Sequence, residues 1–127
     1  MNATYFSINL MQGGEYLLHV RVDFPDSKDN PQGAIVRNSS CGGKWLNEER
    51  SMSRRFPFLP GITADVRIVA GGDNARLWID GEIFTNFTYR GAKGLGAGAK
   101  DDGYPISELM DQVNVVGDVA LQKFQFK

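Results

Sequence analysis

Apolar and polar side chains alternate with a period of two along most of this chain. Between Tyr5 and Met11, Phe6, Ile8 and Leu10 share one face, and Ser7 and Asn9 the other. Between Glu15 and Phe24 the pattern repeats, with Leu18, Val20, Val22 and Phe24 inward and Leu17, His19, Arg21 and Asp23 outward. Successive side chains of a strand leave opposite sides of the backbone, so each segment predicts a strand with one buried face. Gly13-Gly14 marks the turn between them, Pro25–Gly33 reads as a polar loop, and Ala34–Asn38 is a short strand before a turn over Ser39–Gly43. Further on, Val66, Ile68 and Ala70 alternate against Asp65, Arg67 and Val69, and Leu77 and Ile79 oppose Arg76 and Trp78. Gly71-Gly72-Asp73-Asn74 and Asp80-Gly81 are hairpin signals, and Glu82–Tyr89 returns as a strand. Phe56–Gly61, with two prolines, is expected at a sheet corner. Gly91–Gly103 reads as a flexible insertion and Ile106–Gln112 as one helical turn; Val113–Val116 and Val119–Phe126 are expected to close the fold. No long helical period interrupts the series, which predicts an all-β antiparallel β-sandwich.

Composition narrows the function classes. At 127 residues the chain holds one core, giving a single domain over 1–127. A net charge of −1 supplies no general attraction for nucleic acid, so none is expected as a partner. No apolar run reaches the roughly 20 residues that cross a bilayer, so no membrane insertion is expected. The start, Met1–Phe6, lacks the basic and apolar regions of a signal peptide and predicts cytoplasmic synthesis. The triplets at Asn2, Asn38 and Asn86 are then read as unmodified. One cysteine, Cys41, and one histidine give neither an intrachain disulfide nor a zinc ligand set, so no metal and no cofactor is expected. The glycines of 91–103 fit neither GxGxxG nor GxxxxGK[ST] and are not read as a phosphate loop.

The stretch from Ile35 to Arg50 carries the most specific chemistry. Gathering Trp45, Glu48 and Arg50 on one face requires a bulge or kink after Trp45. An indole beside a carboxylate, a guanidinium and the Asn38 amide matches a sugar: its C–H face stacks on the ring, and its hydroxyls donate and accept hydrogen bonds. His19, Arg21 and Asp23 on one strand face would ordinarily read as a solvated face of mixed charge. An enzyme is not expected, because Glu48 and Glu49 diverge on an extended chain and make no glycosidase acid/base pair.

The run Val36-x-Asn38 followed by Trp45-x-x-Glu48-x-Arg50 resembles the core signature of galectins, the β-galactoside-binding lectins. Phe6-x-Ile8-Asn9-Leu10, Leu18-His19, Phe56-Pro57-Phe58-x-Pro60-Gly61, Ile79-Asp80-Gly81-x-x-Phe84, Phe87-x-Tyr89-Arg90 and Val116-Gly117-Asp118-Val119-x-Leu121 are similar to further family segments, in the family's order. The resemblance implies a galectin-type jelly roll, one carbohydrate-recognition domain with its site on the concave sheet. It also implies a non-enzymatic lectin for β-galactoside glycans of the lactose and N-acetyllactosamine type on glycoproteins or glycolipids. In that family the tryptophan lies under the galactose ring, the asparagine and glutamate bind its exocyclic hydroxyl, and the distal arginine reaches the second sugar. Those roles would fall to Trp45, Asn38 with Glu48, and Arg50. Galectins lack signal peptides yet often act outside the cell, so non-classical secretion is implied as well.

Two departures stand out. His19 matches the family's histidine, but Arg21 stands where asparagine is usual and Asp23 where arginine is usual. In galectins those three side chains together grip the axial hydroxyl of galactose, so the resemblance implies that the grip needs a substitute here. Arg21 is the candidate, oriented by Asp23 and Glu48 through bidentate pairs. Only five residues precede Phe6, fewer than in galectins, so either the leading strand pair is absent or another segment supplies it. A missing edge strand would leave a sheet edge open for pairing, which together with the Gly91–Gly103 insertion predicts a homo-oligomer that crosslinks glycans. The competing expectation, resting on Arg21 and Asp23, is a galectin-fold interaction protein with altered glycan or protein specificity.

Overall fold

The computed structural model describes residues 4–26, 30–52, 54–70, 74–88 and 110–123. Among them, Tyr5–Gln12 (β1), Glu15–Asp23 (β2), Ala34–Asn38 (β3), Ser40–Cys41 (β4), Lys44–Trp45 (β5), Val66–Ala70 (β6), Asn74–Ile79 (β7), Glu82–Thr88 (β8) and Gln112–Gly117 (β9) are strands. They form a sheet in the order β3-β2-β1-β9, the small β4-β5 hairpin, and a sheet in the order β6-β7-β8. Every pairing is antiparallel. No helix among the described residues is long and apolar enough to cross a membrane.

The alternation explains the layering. Phe6, Leu10, Leu18, Val20, Val22 and Ile35 of the first sheet meet Ala75, Leu77, Ile79, Phe84 and Phe87 of the second in one buried cluster. Each of these side chains other than Ala75 contributes on the order of 2 kcal/mol of burial. Phe56 and Phe58, on the proline-bearing segment, join Phe6 and Phe24 in a chain of ring contacts with centroids 5.4–6.0 Å apart. This is the sheet-corner packing expected of that segment. At Asp80-Gly81 both residues have positive φ, the geometry of a two-residue hairpin, and the Asp80 carboxylate accepts from Asp65 N at 2.8 Å.

Thr4 and Asp118 clasp β1 to the end of β9. Thr4 donates from N and Oγ1 to Asp118 Oδ2 at 3.0 and 2.7 Å, and Asp118 N donates to Tyr5 O at 2.8 Å. The Thr4 hydroxyl, followed by the amides of Thr4 and Tyr5, holds the Asp118 carboxyl below its ordinary range.

The structure departs from the sequence expectation at four places. Leu17, expected outward, is fully buried, because the β1–β2 register passes from Leu10↔Leu18 to Met11↔Tyr16 and the bulge drives Leu17 inward. The expected turn over Ser39–Gly43 is instead the β4–β5 hairpin, with only Gly42-Gly43 at its tip. From Val119 to Lys123 there is no strand; Val119 N bonds back to Gly117 O at 2.9 Å, bending the chain off the sheet, and Leu121 is 59% exposed. Gln112 opens β9 rather than ending a helical turn. Met110 and Asp111 before it are irregular, and Ile106–Leu109, the Gly91–Gly103 insertion, Gly71-Gly72-Asp73 and Phe124–Phe126 lie outside the described residues.

Gly117 has φ +109, and a Cβ there would sit 2.6 Å from Tyr5 O and 2.8 Å from Phe6 Cα. Gly117→Ala is expected to cost about 2 kcal/mol or more in urea unfolding. Gly13→Ala, at φ +55 with open space around it, should lose only about 1 kcal/mol. Equal losses would show that backbone conformation alone governs both.

Candidate functional site

The pleat of β2 that sends Leu18, Val20 and Val22 into the core sends His19, Arg21 and Asp23 to the opposite face. There they lie beside Asn38, Val36 and Ala34 of β3 on one side and Asn9, Ser7 and Tyr5 of β1 on the other. Asn114 of β9 extends the row next to Asn9. The sheet therefore carries a polar strip across four strands, floored by buried Ala34 and Val36.

Trp45 is delivered by the β4–β5 hairpin, which four polar groups tether. Glu15 Oε1 accepts from Gly43 N at 2.8 Å, Ser40 Oγ from Tyr16 N at 2.9 Å, and Leu17 O from Ser39 Oγ at 2.7 Å. Asn38 completes the set, its Nδ2 donating to Leu46 O at 2.9 Å and its Oδ1 accepting from Ser39 N at 2.8 Å. Asn38 is buried, and these bonds leave one amide hydrogen and one carbonyl lone pair for anything else. So held, Trp45 is 51% exposed, its ring centroid 4.6 Å from Tyr16 and 4.7 Å from His19. The strand stops at Trp45 and pairing resumes at Glu49, opposite Arg37, which is the break needed to turn Glu48 and Arg50 outward.

His19 sits at the end of an amide relay. Asn114 Oδ1 accepts from Asn9 Nδ2 at 2.7 Å, and Asn9 Oδ1 faces His19 Nδ1 at 2.5 Å. Asn9 Nδ2 also donates to Ser7 Oγ at 3.2 Å, which fixes the amide with its oxygen toward the imidazole. Nδ1 must then carry the proton, leaving Nε2 as an acceptor for an incoming hydroxyl. Burial lowers the His19 pKa, Arg21 lowers it further, and Asp23 offsets part of this.

Arg21 donates from Nε to Asp23 Oδ1 at 2.9 Å, and its guanidinium lies over the Tyr5 ring, 4.1 Å from the centroid. Arg50 donates from Nε to Glu48 Oε1 at 2.7 Å. Orientation of Arg21 by Asp23 therefore holds, with one bond rather than two. Orientation by Glu48 does not, because among the described residues Glu48 is engaged by Arg50. Tyr16, Tyr5 and Asn114 were not foreseen as parts of this face, nor was the contact of Asn9 with His19. Simple alternation puts Tyr16 in phase with Leu18; the bulge at Leu10/Met11 turns it toward Trp45. Among the described residues no group of His, Cys, Asp or Glu could hold a metal ion.

The depressed His19 pKa has a definite sign. Above the unfolded value of about 6.5 both states are neutral and His19 adds no pH dependence. As pH falls below it the unfolded chain binds the proton first, so stability is lost until the folded pKa is passed. The urea midpoint is therefore expected to fall on acidification from pH 7, and less steeply in His19→Gln. Parallel declines in the two proteins would remove His19 from the explanation.

The sequence pattern of the galactoside-binding lectin family matches residues 1–126. Galectin-4 of Bos taurus is 32% identical over 97% of this chain, and the 32 kDa beta-galactoside-binding lectin of Haemonchus contortus 32% identical over 69% of it. This chain spans about a third of the length of those relatives, 32% and 29%. A tetrameric galectin from the ball sponge Cinachyrella sp. superposes with a TM-score of 0.67 at 26% identity, over 93% of this chain and 74% of that one. Matched almost end to end in sequence and sharing its sheet arrangement with a solved relative, this chain belongs to the galactoside-binding lectins, the galectin family, whose members are sugar-binding proteins and not enzymes.

Proposed function

We propose that this domain binds β-galactosides of the lactose and N-acetyllactosamine type on the face formed by β2, β3 and the Trp45 hairpin. The observation that carries this reading is the half-open indole of Trp45, steadied by Tyr16 and His19 beside Asn38. A pyranose laid on that ring would find an acceptor in His19 Nε2, a donor in the remaining Asn38 amide hydrogen, and the charged pair Glu48–Arg50 beyond. The similarity to a lectin named for β-galactoside binding points the same way. Arg21 and Asp23 form a joined donor–acceptor unit, with the Arg21 terminal nitrogens taking over donor positions that another galectin would fill from a different residue. Such a site, shallow and with few contacts, gives roughly micromolar to millimolar affinity. Crosslinking then rests on self-association, supported by β9, which has no strand on its outer side among the described residues, and by the exposure of Val116 on it.

The second reading is a site shifted to another glycan or to a protein ligand. Its support is the Arg21–Asp23 pair, which closes one carboxylate oxygen and one guanidinium nitrogen to ligand.

Calorimetric titration with lactose tests the first reading: Trp45→Ala should weaken binding about tenfold or more, from loss of the stacking surface, while leaving the melting temperature nearly unchanged. Arg21→Ala should also weaken it, and undiminished affinity would discharge Arg21 from the site. A glycan array read beside sedimentation of the same sample separates the two readings. Galactosides at the top with a mass above one chain fits the first, and a silent galactoside panel favours the second.

A further inference from the structure

Arg37 lies inside the sandwich, on the core side of β3 with Ile35, at 1% exposure. A guanidinium removed from water is costly unless its donors are matched, and here the matches are specific. Nη1 donates to Ile35 O at 2.7 Å and to Ser51 O at 2.9 Å; Nη2 reaches Ser51 Oγ at 3.4 Å and Thr85 Oγ1 of β8 at 3.5 Å. Nε has no hydrogen-bond partner among the described residues, so the matches lie at the two terminal nitrogens.

What it holds is the segment that follows Trp45. Residues 46–51 are joined to the β3 end by few backbone bonds: Leu46 N to Ser39 O at 3.0 Å, Arg37 N to Glu49 O at 2.9 Å, and Glu49 N to Arg37 O at 2.8 Å. Glu49 turns toward the guanidinium, its carboxylate 4.0 Å from Nη2, so Glu48 and Arg50 on either side of it turn outward. The outward pair is solvent-exposed and screened, and cannot fix its own backbone.

We infer that Arg37 is a positioning residue for the ligand face: from within the core it sets the placement of the 48–51 segment, and with it where Glu48 and Arg50 present their charges. The inference rests on the galactoside reading for its binding consequence but not for the clamp itself. Arg37→Met keeps the unbranched apolar stem, though not its full length, and removes the donors; Arg37→Lys keeps one ammonium that can serve Ile35 O or Ser51 O but cannot reproduce the fork.

Amide hydrogen exchange on the ligand-free proteins tests the clamp. In Arg37→Met, exchange at Glu49 and its neighbours should quicken about tenfold relative to β1 and β2, with Arg37→Lys in between. Lactose, which would meet both Glu48 and Arg50, should bind about tenfold more weakly to Arg37→Met, while methyl β-galactoside, which would meet Glu48 but not Arg50, should lose about threefold. Should Arg37→Met fail to fold, the same comparisons are made on Arg37→Lys, where a smaller change of the same pattern is expected. Unchanged exchange over 46–51 overturns the inference, as do equal losses for the two sugars accompanied by uniformly faster exchange, which would make Arg37 a general fold residue. If the unmodified protein binds neither sugar, the galactoside reading falls, and the exchange comparison alone decides the clamp.

Discussion

One strand serves two environments at once, and the molecule depends on that division. The pleat of β2 places Leu18, Val20 and Val22 against the second sheet and, through the same backbone, His19, Arg21 and Asp23 against solvent. A slip of one residue in its pairing would bury three charged or polar groups and expose three aliphatic ones, so the hydrophobic effect that holds the sandwich also fixes the register of the polar strip. Stability and ligand face are not separable here: the energy that sets one sets the other.

The strip is not a set of independent side chains. Asn114, Asn9 and His19 form a relay across β9, β1 and β2 in which the last amide decides which imidazole nitrogen bears hydrogen. The two charged units, Arg21 with Asp23 and Glu48 with Arg50, are both made between residues two apart on one extended segment, each neutral as a pair. A face built from neutral pairs attracts a ligand through local donors and acceptors rather than a long-range field, which suits uncharged hydroxyl-rich molecules. The hairpin carrying Trp45 is tied from the other direction, by Glu15 and Ser40 to the start of β2.

Much of this was legible in the sequence because period-two alternation and two-residue turns act locally. β1, β2, β3, β7 and β8 lie where the pattern put them, and the tight turns at Gly13-Gly14 and Asp80-Gly81 join the expected neighbours. What was not legible is non-local or irregular. The bulge opposite Leu10 and Met11 inverts the phase at Tyr16 and Leu17, so the core residue Leu17 was expected on the wrong side and nothing in the pattern marked Tyr16 for the ligand face. Asn9 could be placed on the polar face, but its partnership with His19 depends on pairing between strands. Arg37 was readable in principle: alternation with Ile35 puts it inward, and only the habit of treating arginine as a surface residue hides it. Val119–Lys123 has a strand-like composition but no neighbouring strand among the described residues to pair with.

The clasp between Thr4 and Asp118 also has a mechanical meaning. Because β1 and β9 are antiparallel and Phe6 faces Gly117, the start of one strand and the finish of the other meet at one corner. Tension entering at Thr4 and leaving at Asp118 would load the carboxylate contacts first and then the ladder bonds one after another, peeling rather than shearing. The domain should therefore yield at low force when pulled along that axis, while force carried through the loops at the opposite end of β1 and β2 would meet the sheet differently.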